Sequence, residues 1–238
     1  YTIKNQKTDK EARKVLIYDV NMEYTQYKAI SPKDLKRFSA QQAIEIRRVL
    51  PFNDDGSVAD IDQMIDILHV ILTDFRGGLL ILEDINRYLT DTKSKEVIGM
   101  LATNRHKDLD IIIHLQSLSP MTTRMWQNCN VIRFHKQSDE IDRYEPRVTN
   151  FEMFKVGQIL VNQQYEIGNQ RFYCYISNDD DKIRGKYSIH SFKQACESYT
   201  EQYPSKINRY KRKYGNSEDA YEKATAECVA ELAKYNGN

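Results

Sequence analysis

The sequence predicts a three-layer α/β protein built on a mainly parallel sheet. Two observations carry this. Short apolar runs bounded by turn or charged residues recur along the first half: Val15-Leu16-Ile17-Tyr18, Leu79-Leu80-Ile81-Leu82, Ile111-Ile112-Ile113 and Val131-Ile132-Arg133-Phe134. Runs that apolar suit strands buried on both faces, as parallel sheets require. Between them lie segments whose apolar residues return at helical spacing, and strand–helix alternation is the pattern of a parallel sheet covered by helices.

The elements follow in order. Tyr1 to Gln6 reads as a helix end, followed by a charged loop to Lys14 and the first strand. Tyr27 to Ile30 suits a brief edge strand. Ser31 then caps a short helix with Pro32 at its first position, ending near Phe38. Ala43 to Phe52 alternates Ile44, Ile46 and Val49 with charged residues, a strand with one wet face, and Asn53-Asp54-Asp55-Gly56 is a turn. Ser57 or Asp60 caps the next helix, where Ile61, Met64, Ile65, Leu68, Ile71 and Leu72 form one apolar face up to Asp74. Gly77-Gly78 ends it.

A helix is predicted over Lys93 to Arg105, a third buried strand over Asp110 to Gln116, a helix over Thr122 to Asn128, and a fourth strand over Val131 to Phe134. Beyond Lys136 the texture changes. Ser138 to Tyr144 suits a short helix. Gly157–Tyr165 and Arg171–Ile176 flank Glu166 to Gln170 as a β-hairpin, and Asn178 to Asp181 is a solvated turn. From Ser188 two helical stretches are separated by Tyr203-Pro204-Ser205. Three segments result: residues 1–136 as the core, 137–187 completing it with the hairpin, and 188–238 as a helical extension.

Composition sets the bounds. The chain has 238 residues, 40% hydrophobic and 29% charged, with 9 Gly and 5 Pro, which is ordinary globular composition. No apolar run approaches the ~18 residues that span a bilayer, so no membrane partner and a cytoplasmic location are expected, without a signal peptide. Cys129, Cys174, Cys196 and Cys228 are spaced too irregularly for zinc, and reduced thiols are expected.

Gly77-Gly78-Leu79-Leu80-Ile81-Leu82-Glu83-Asp84 is the segment richest in chemistry. Its two carboxylates fall at a strand's carboxyl end, where open α/β sheets bind ligands. Glu83 and Asp84 there suit Mg²⁺ and a positioned water, the Walker B arrangement of nucleotide triphosphatases. The alternative is a buried strand followed by a solvated acidic turn. His106 and His114 have no partner at metal spacing and read as structural, and Trp126 on an apolar helix face reads as core.

Several segments resemble the HerA/FtsK superfamily of ATP-driven DNA pumps. Asp19-Val20-Asn21-Met22-Glu23-Tyr24 is similar to the D-x-x-x-E-Y signature after that family's second core strand. Glu83-Asp84 looks like its Walker B, and Asn104-Arg105-His106 with the strand ending in Gln116 resembles its R-[HK]…Q segment. The likeness spans Val15 to Phe134. It implies a RecA-like core, with a β-hairpin and helical C-terminal extension, that binds ATP and Mg²⁺. It also implies DNA as partner and a homo-oligomeric ring of five or six subunits, with viral portal or capsid components as further partners if the chain packages a genome.

The resemblance gives Glu83 and Asp84 to metal and water, Gln116 to sensing the γ-phosphate, and Arg105 to the neighbouring subunit's nucleotide. Asp19 and Glu23 would lie at the nucleotide's edge. Each has a plainer reading. Arg105 also suits a helix C-terminus, Gln116 a loop amide, and Glu23-Tyr24 a cap on its own loop. Two features depart from the family. No G-x-x-x-x-G-K-[ST] loop occurs in the sequence, so the phosphate loop is expected upstream of Tyr1, or else the chain is a degenerate member. The usual acid order is also reversed, Glu before Asp.

Lys206, Arg209, Lys211, Arg212 and Lys213 form a cationic stretch with interleaved tyrosines and no acid. This suits phosphate-backbone contacts, or equally a solvated helix face or a subunit contact. Ala220, Ala224, Cys228 and Leu232 share one side of a helix and suit docking on the core or on a neighbouring subunit. Three functions are weighed: an ATP-hydrolysing DNA translocase or genome-packaging motor subunit, a non-hydrolysing structural or DNA-binding relative, and a small-molecule kinase. The kinase is disfavoured because no Arg-rich lid follows Gln116.

Overall fold

In the computed structural model, which describes residues 1–4, 11–53, 55–84, 99, 108–215 and 219–238, the first apolar run forms β1 (Lys14–Tyr18) at the middle of a five-stranded sheet. Around it lie β2 (Lys28–Ala29), β3 (Ile46–Val49), β4 (Gly78–Leu82) and β5 (Leu109–Ile113), in the order β2-β3-β1-β4-β5, all parallel. Val15 lies opposite Ile46 on one side and Leu79 on the other. Both faces of β1 are buried, as its unbroken apolar run requires. Leu16 and Tyr18 point to one face, where they meet Leu80, Leu82 and the helices α1 (Leu35–Ala40) and α2 (Ile61–Asp74). Val15 and Ile17 point to the other, packing with Leu79, Tyr24, Tyr27, Ile46 and Ile81.

Local chemistry starts and stops these helices. Ser31 caps a 3₁₀ turn, Pro32–Asp34, that leads into α1. Asp60 and Gln63 form a reciprocal capping box at the start of α2, leaving two fewer orphan donors there. The buried stripe Met64, Ile65, Leu68, Ile71 and Leu72 then faces the sheet, and the Tyr18 hydroxyl donates to the Met64 carbonyl at 2.9 Å. Gly77 takes φ +66, a left-handed turn that suits glycine and reverses the chain into β4.

Three expectations for this part change. Tyr1 to Lys4 form no helical turn. The third strand is regular only from Leu109 to Ile113, so His114 and Gln116 lie beyond it. That strand is also not buried on both faces, because it is the last strand of the sheet among the described residues and Ile112 is 43% exposed. The helix expected over Lys93 to Arg105 falls outside the described residues.

The chain divides into two units, residues 1–120 and 121–238. The second begins with α3 (Thr123–Asn128), capped by the Thr122 side chain, which buries Trp126 completely. Its sheet is antiparallel, β6 (Val131–His135), β7 (Tyr173–Ser177) and β8 (Lys182–Gly185), in that order. The fourth apolar run is therefore a strand, but of this sheet rather than of the parallel one. Between β6 and β7 lie a 3₁₀ segment, Ile141–Arg147, and α4 (Phe151–Glu166).

The hairpin expected around Glu166 to Gln170 is thus absent. Gly157–Tyr165 is helical, and the hairpin is β7–β8, turning through Asn178 to Asp181. The reason is length: every residue from Met153 to Val161 is buried, a run longer than most strands, and α4 is buried nearly all round rather than along one stripe. Gly157 permits the contact, since a Cβ there would lie 2.6 Å from Ile176 Cδ1. Three helices complete the unit: α5 (Ile189–Gln202), α6 (Pro204–Tyr214) and α7 (Ala220–Leu232). The Ala220, Ala224, Cys228, Leu232 stripe of α7 is buried. No described helix is long and apolar enough to cross a membrane.

Candidate functional site

Sheet topology selects one place for a site. From β1 the chain leaves towards β2 and β3, whereas from the adjacent β4 it leaves towards β5. Connections diverging from neighbouring parallel strands open a crevice at their carboxyl ends, where open α/β sheets bind ligands. Asp19 to Tyr24 follow β1 there, and Glu83-Asp84 follow β4.

Asp19 is wholly buried and fully engaged. Its carboxylate accepts from the backbone N–H groups of Glu23 at 2.9 Å and Tyr24 at 3.1 Å, and from the Arg48 guanidinium of β3 at 2.8 Å. Met22, at φ +59, lets the chain fold back over this anchor. The turn so fixed carries Asn21 and Tyr24 towards β4. Glu23 is exposed, and its backbone N–H supplies the hydrogen bond to Asp19. The structure thus gives the Asp19 side chain the job of fixing this turn.

Glu83 is 8% exposed, and its carboxylate is gripped from both flanking strands. The Tyr24 hydroxyl, following β1, donates at 2.5 Å, and His114 Nδ1, following β5, lies at 3.0 Å. With Glu83 ionised it is acceptor-only, so Nδ1 carries the hydrogen. Burial first, then the bond to Glu83 and the charges of Glu83, Glu23 and Asp19, push the Tyr24 phenol well above its ordinary range, which keeps it a donor.

Asp84 is held in the same two-sided way. The Asn21 amide donates to one oxygen at 2.5 Å and the Gln116 amide to the other at 2.9 Å. Asp84 adopts φ +44, a left-handed conformation that Asp tolerates better than most residues. The two donors described on this carboxylate, the Asn21 and Gln116 amides, are neutral, so they orient its charge without cancelling it. That suits a hard divalent cation completed by water and phosphate oxygens. No group of three or more His, Cys, Asp or Glu side chains able to hold a metal occurs among the described residues.

Glu83, Asp84 and Gln116 therefore lie together past the carboxyl ends of β4 and β5, while Asp19 and the Glu23 backbone fix the neighbouring turn. Arg105, with Asn104 and His106, lies outside the described residues. His114, expected to be structural, touches Glu83 directly. Asn21 and Tyr24 are also site residues, and their only sequence signal is their place within the Asp19–Tyr24 motif.

The cationic stretch on α6 looks different once folded. Lys206 lies 4.0 Å from Glu145, Arg209 3.1 Å from Glu231, and Lys213 2.7 Å from Glu227. Lys211 and Arg212 form no ion pair among the described residues. Much of the patch joins α6 to acids within its own unit.

Compared by sequence, the chain matches no family model and no curated protein. Compared by structure, it is similar to the genome packaging NTPase B204 from Sulfolobus turreted icosahedral virus 2 in complex with AMP. The TM-score is 0.50 at 16% identity, covering 74% of this chain and 83% of that one. It also overlaps B204, the DNA-packaging ATPase from Sulfolobus turreted icosahedral virus, with a TM-score of 0.49 at 14% identity, covering 75% and 84%. At 16% identity the first likeness shows the fold alone: this chain shares the α/β architecture of that NTPase, and in it the parallel sheet is accompanied by an antiparallel sheet and C-terminal helices.

Proposed function

We propose that the protein hydrolyses ATP and couples hydrolysis to moving DNA, as a subunit of a genome-packaging motor. One observation carries this reading. Two adjacent carboxylates stand at the carboxyl end of β4, each oriented by one donor following β1 and one following β5. The structural neighbour named a genome packaging NTPase supports it through the shared fold.

On this reading the two acids take different roles. Asp84, the more exposed acid and held only by amides, is the one to take Mg²⁺, which when bound would neutralise charge on the phosphates. Glu83, buried beneath Tyr24 and His114, is the one to orient the attacking water and accept its proton. Gln116 shares Asp84 and is placed to answer to whatever occupies the crevice. DNA contact falls to the cations of α6 that have no acid partner among the described residues, Lys211 and Arg212. Ring assembly, with Arg105 acting on the neighbour's nucleotide, belongs to the same proposal, as do portal or capsid partners.

A second reading rests on the lack of a G-x-x-x-x-G-K-[ST] loop within these residues: a non-hydrolysing component that binds DNA or supports the assembly. Steady-state ATPase assays with Mg²⁺, with and without DNA, separate the two. The motor reading expects DNA-stimulated turnover that falls at least about 100-fold in the Glu83→Gln, Asp84→Asn double variant. Turnover unchanged in that variant removes Glu83 and Asp84 from the chemistry. Absence of turnover in the parent protein favours the structural reading.

A further inference from the structure

The antiparallel sheet of the second unit buries one face and shows the other. Ile132, Phe134, Cys174, Ile176 and Ile183 point inward, with Gly157 of α4 closing on Ile176. On the outward face the pairing aligns Arg133 with Tyr175 and Arg184, and His135 with Tyr173. Arg133 lies over the Tyr173 ring, 3.9 Å from its centroid. Tyr173 in turn meets Tyr175 edge-on at 5.4 Å and His135 at 5.3 Å. Tyr175 is 41% exposed, an aromatic ring shown to solvent in mid-strand.

Charge on this sheet is segregated. The stretches 131–136, 171–177 and 182–186 contain Arg133, Lys136, Arg171, Lys182, Arg184 and Lys186 but no Asp or Glu. The acids gather instead at the hairpin turn. There Asp179 accepts from Asn130, Asp181 accepts from Asn150, and Asp180 pairs with Arg184. An outward face carrying rings and a stacked guanidinium, in strands that hold cations and no acids, offers two things together: planes for bases and charge for phosphates. Unpaired nucleic-acid strands are bound in this way, by stacking on aromatic and guanidinium planes along a cationic track. A duplex hides its base faces, and an acidic peptide would use the cations but leave the rings idle.

We propose that this outward face binds single-stranded nucleic acid. Tyr175 and the Arg133–Tyr173 stack take unpaired bases, and the flanking cations take phosphates. This does not rest on hydrolysis by Glu83 and Asp84 and is tested without nucleotide.

The test is fluorescence anisotropy of the whole chain with a labelled oligothymidine of about twenty residues and a duplex of equal length, at low salt. Tighter binding to the single strand is expected. Tyr175→Ala should weaken it about ten-fold, and Arg133→Lys, which keeps the charge but loses the plane, by about three-fold or more. Any one of three results overturns the proposal: no binding by the parent chain, duplex bound as tightly as single strand, or affinity unmoved by both Tyr175→Ala and Arg133→Lys. Circular dichroism of each variant guards against misfolding, and Arg133→Lys is mild enough to keep the test informative if Tyr175→Ala unfolds.

Discussion

In the first unit β1 is covered on both faces, while in the second the three-stranded sheet is covered on one. A strand covered on both sides admits a polar side chain only where its own fold satisfies it, as Lys14 does at the start of β1 by donating to the Ser39 carbonyl, so chemistry is pushed past the ends. Glu83 and Asp84 follow β4, Asn21 and Tyr24 follow β1, and His114 and Gln116 follow β5. A strand with one open face can carry function at every second position, as Arg133, Tyr173 and Tyr175 do. The two units also bury charge differently. Asp19 is buried with its cation, the Arg48 side chain being only 14% exposed. Lys155 of α4 is also buried, at 6%, but its partners Glu140 and Asp142 are 51% and 41% exposed.

That contrast yields the largest expected effect. Arg48→Met leaves a buried carboxylate without its cation, and breaking such a pair costs about 3–5 kcal/mol. The two backbone donors on Asp19 hold the loss to the lower end. Lys155→Met removes the buried member itself and leaves two acids that water already reaches. A change of about 1 kcal/mol or less, of either sign, is expected. Native-state hydrogen exchange separates the units, with β1 and β3 amides reporting the first substitution and α4 amides the second. Equal losses would show that burial of the pairs does not differ as described.

Backbone crowding gives a smaller difference in the same direction. A Cβ on Gly78 would lie 2.7 Å from the Lys14 carbonyl oxygen and 2.7 Å from the ring of Phe75. A main-chain carbonyl in the sheet cannot step aside, so Gly78→Ala should cost about 2 kcal/mol through overpacking. In α4 the atom met by a Cβ on Gly157 is the terminal methyl of Ile176, which can rotate away. There alanine also gains about 1 kcal/mol of helix propensity. Gly157→Ala should therefore fall within about 1 kcal/mol of the parent. Urea unfolding followed by tryptophan fluorescence suits the second variant, because Trp126 lies in that unit, 5.0 Å from Phe154. Exchange at β4 suits the first.

These two substitutions also mark how far the sequence could be read. The parallel sheet was legible because Val15 to Tyr18 and Leu79 to Leu82 have no polar residue to confuse the period, and Gly77-Gly78 fixes where β4 begins. The paired acids of the site were legible for the same reason, standing where an apolar run stops. The grip on them was not. Tyr24 and His114 lie 59 and 31 positions from Glu83, and a lone His carries no spacing signal. In the second unit, Gly157 to Tyr165 misled because a short apolar run fits a buried strand as well as a helix. Met153 to Val156, one turn earlier, extend the buried run beyond a strand's usual length. Likewise the cations of α6 looked unopposed because Glu145, Glu227 and Glu231 are remote in sequence.

The smallest effect lies on the open face of the second sheet. The hydrogen bond from Arg184, then one from Ser177, then the charges of Arg184 and Lys182 hold the Asp180 carboxyl down to about 2, against an ordinary 3.8. A depressed carboxylate stabilises the fold above its unfolded value, and that contribution is lost as pH falls through the folded one. The contribution is therefore complete above pH 3.8 and disappears towards pH 2. Both partners are exposed, so the gain is small and screened by salt. Carbon-detected NMR titration should show the Asp180 midpoint near 2 in the parent chain, moving up towards 3.8 in Arg184→Gln. Salt of about 1 M should move it the same way, because the Debye length shrinks to about 3 Å. A midpoint that stays near 2 without Arg184 would assign the shift to Ser177 instead, leaving Arg184 free of its acid on the open face of the sheet.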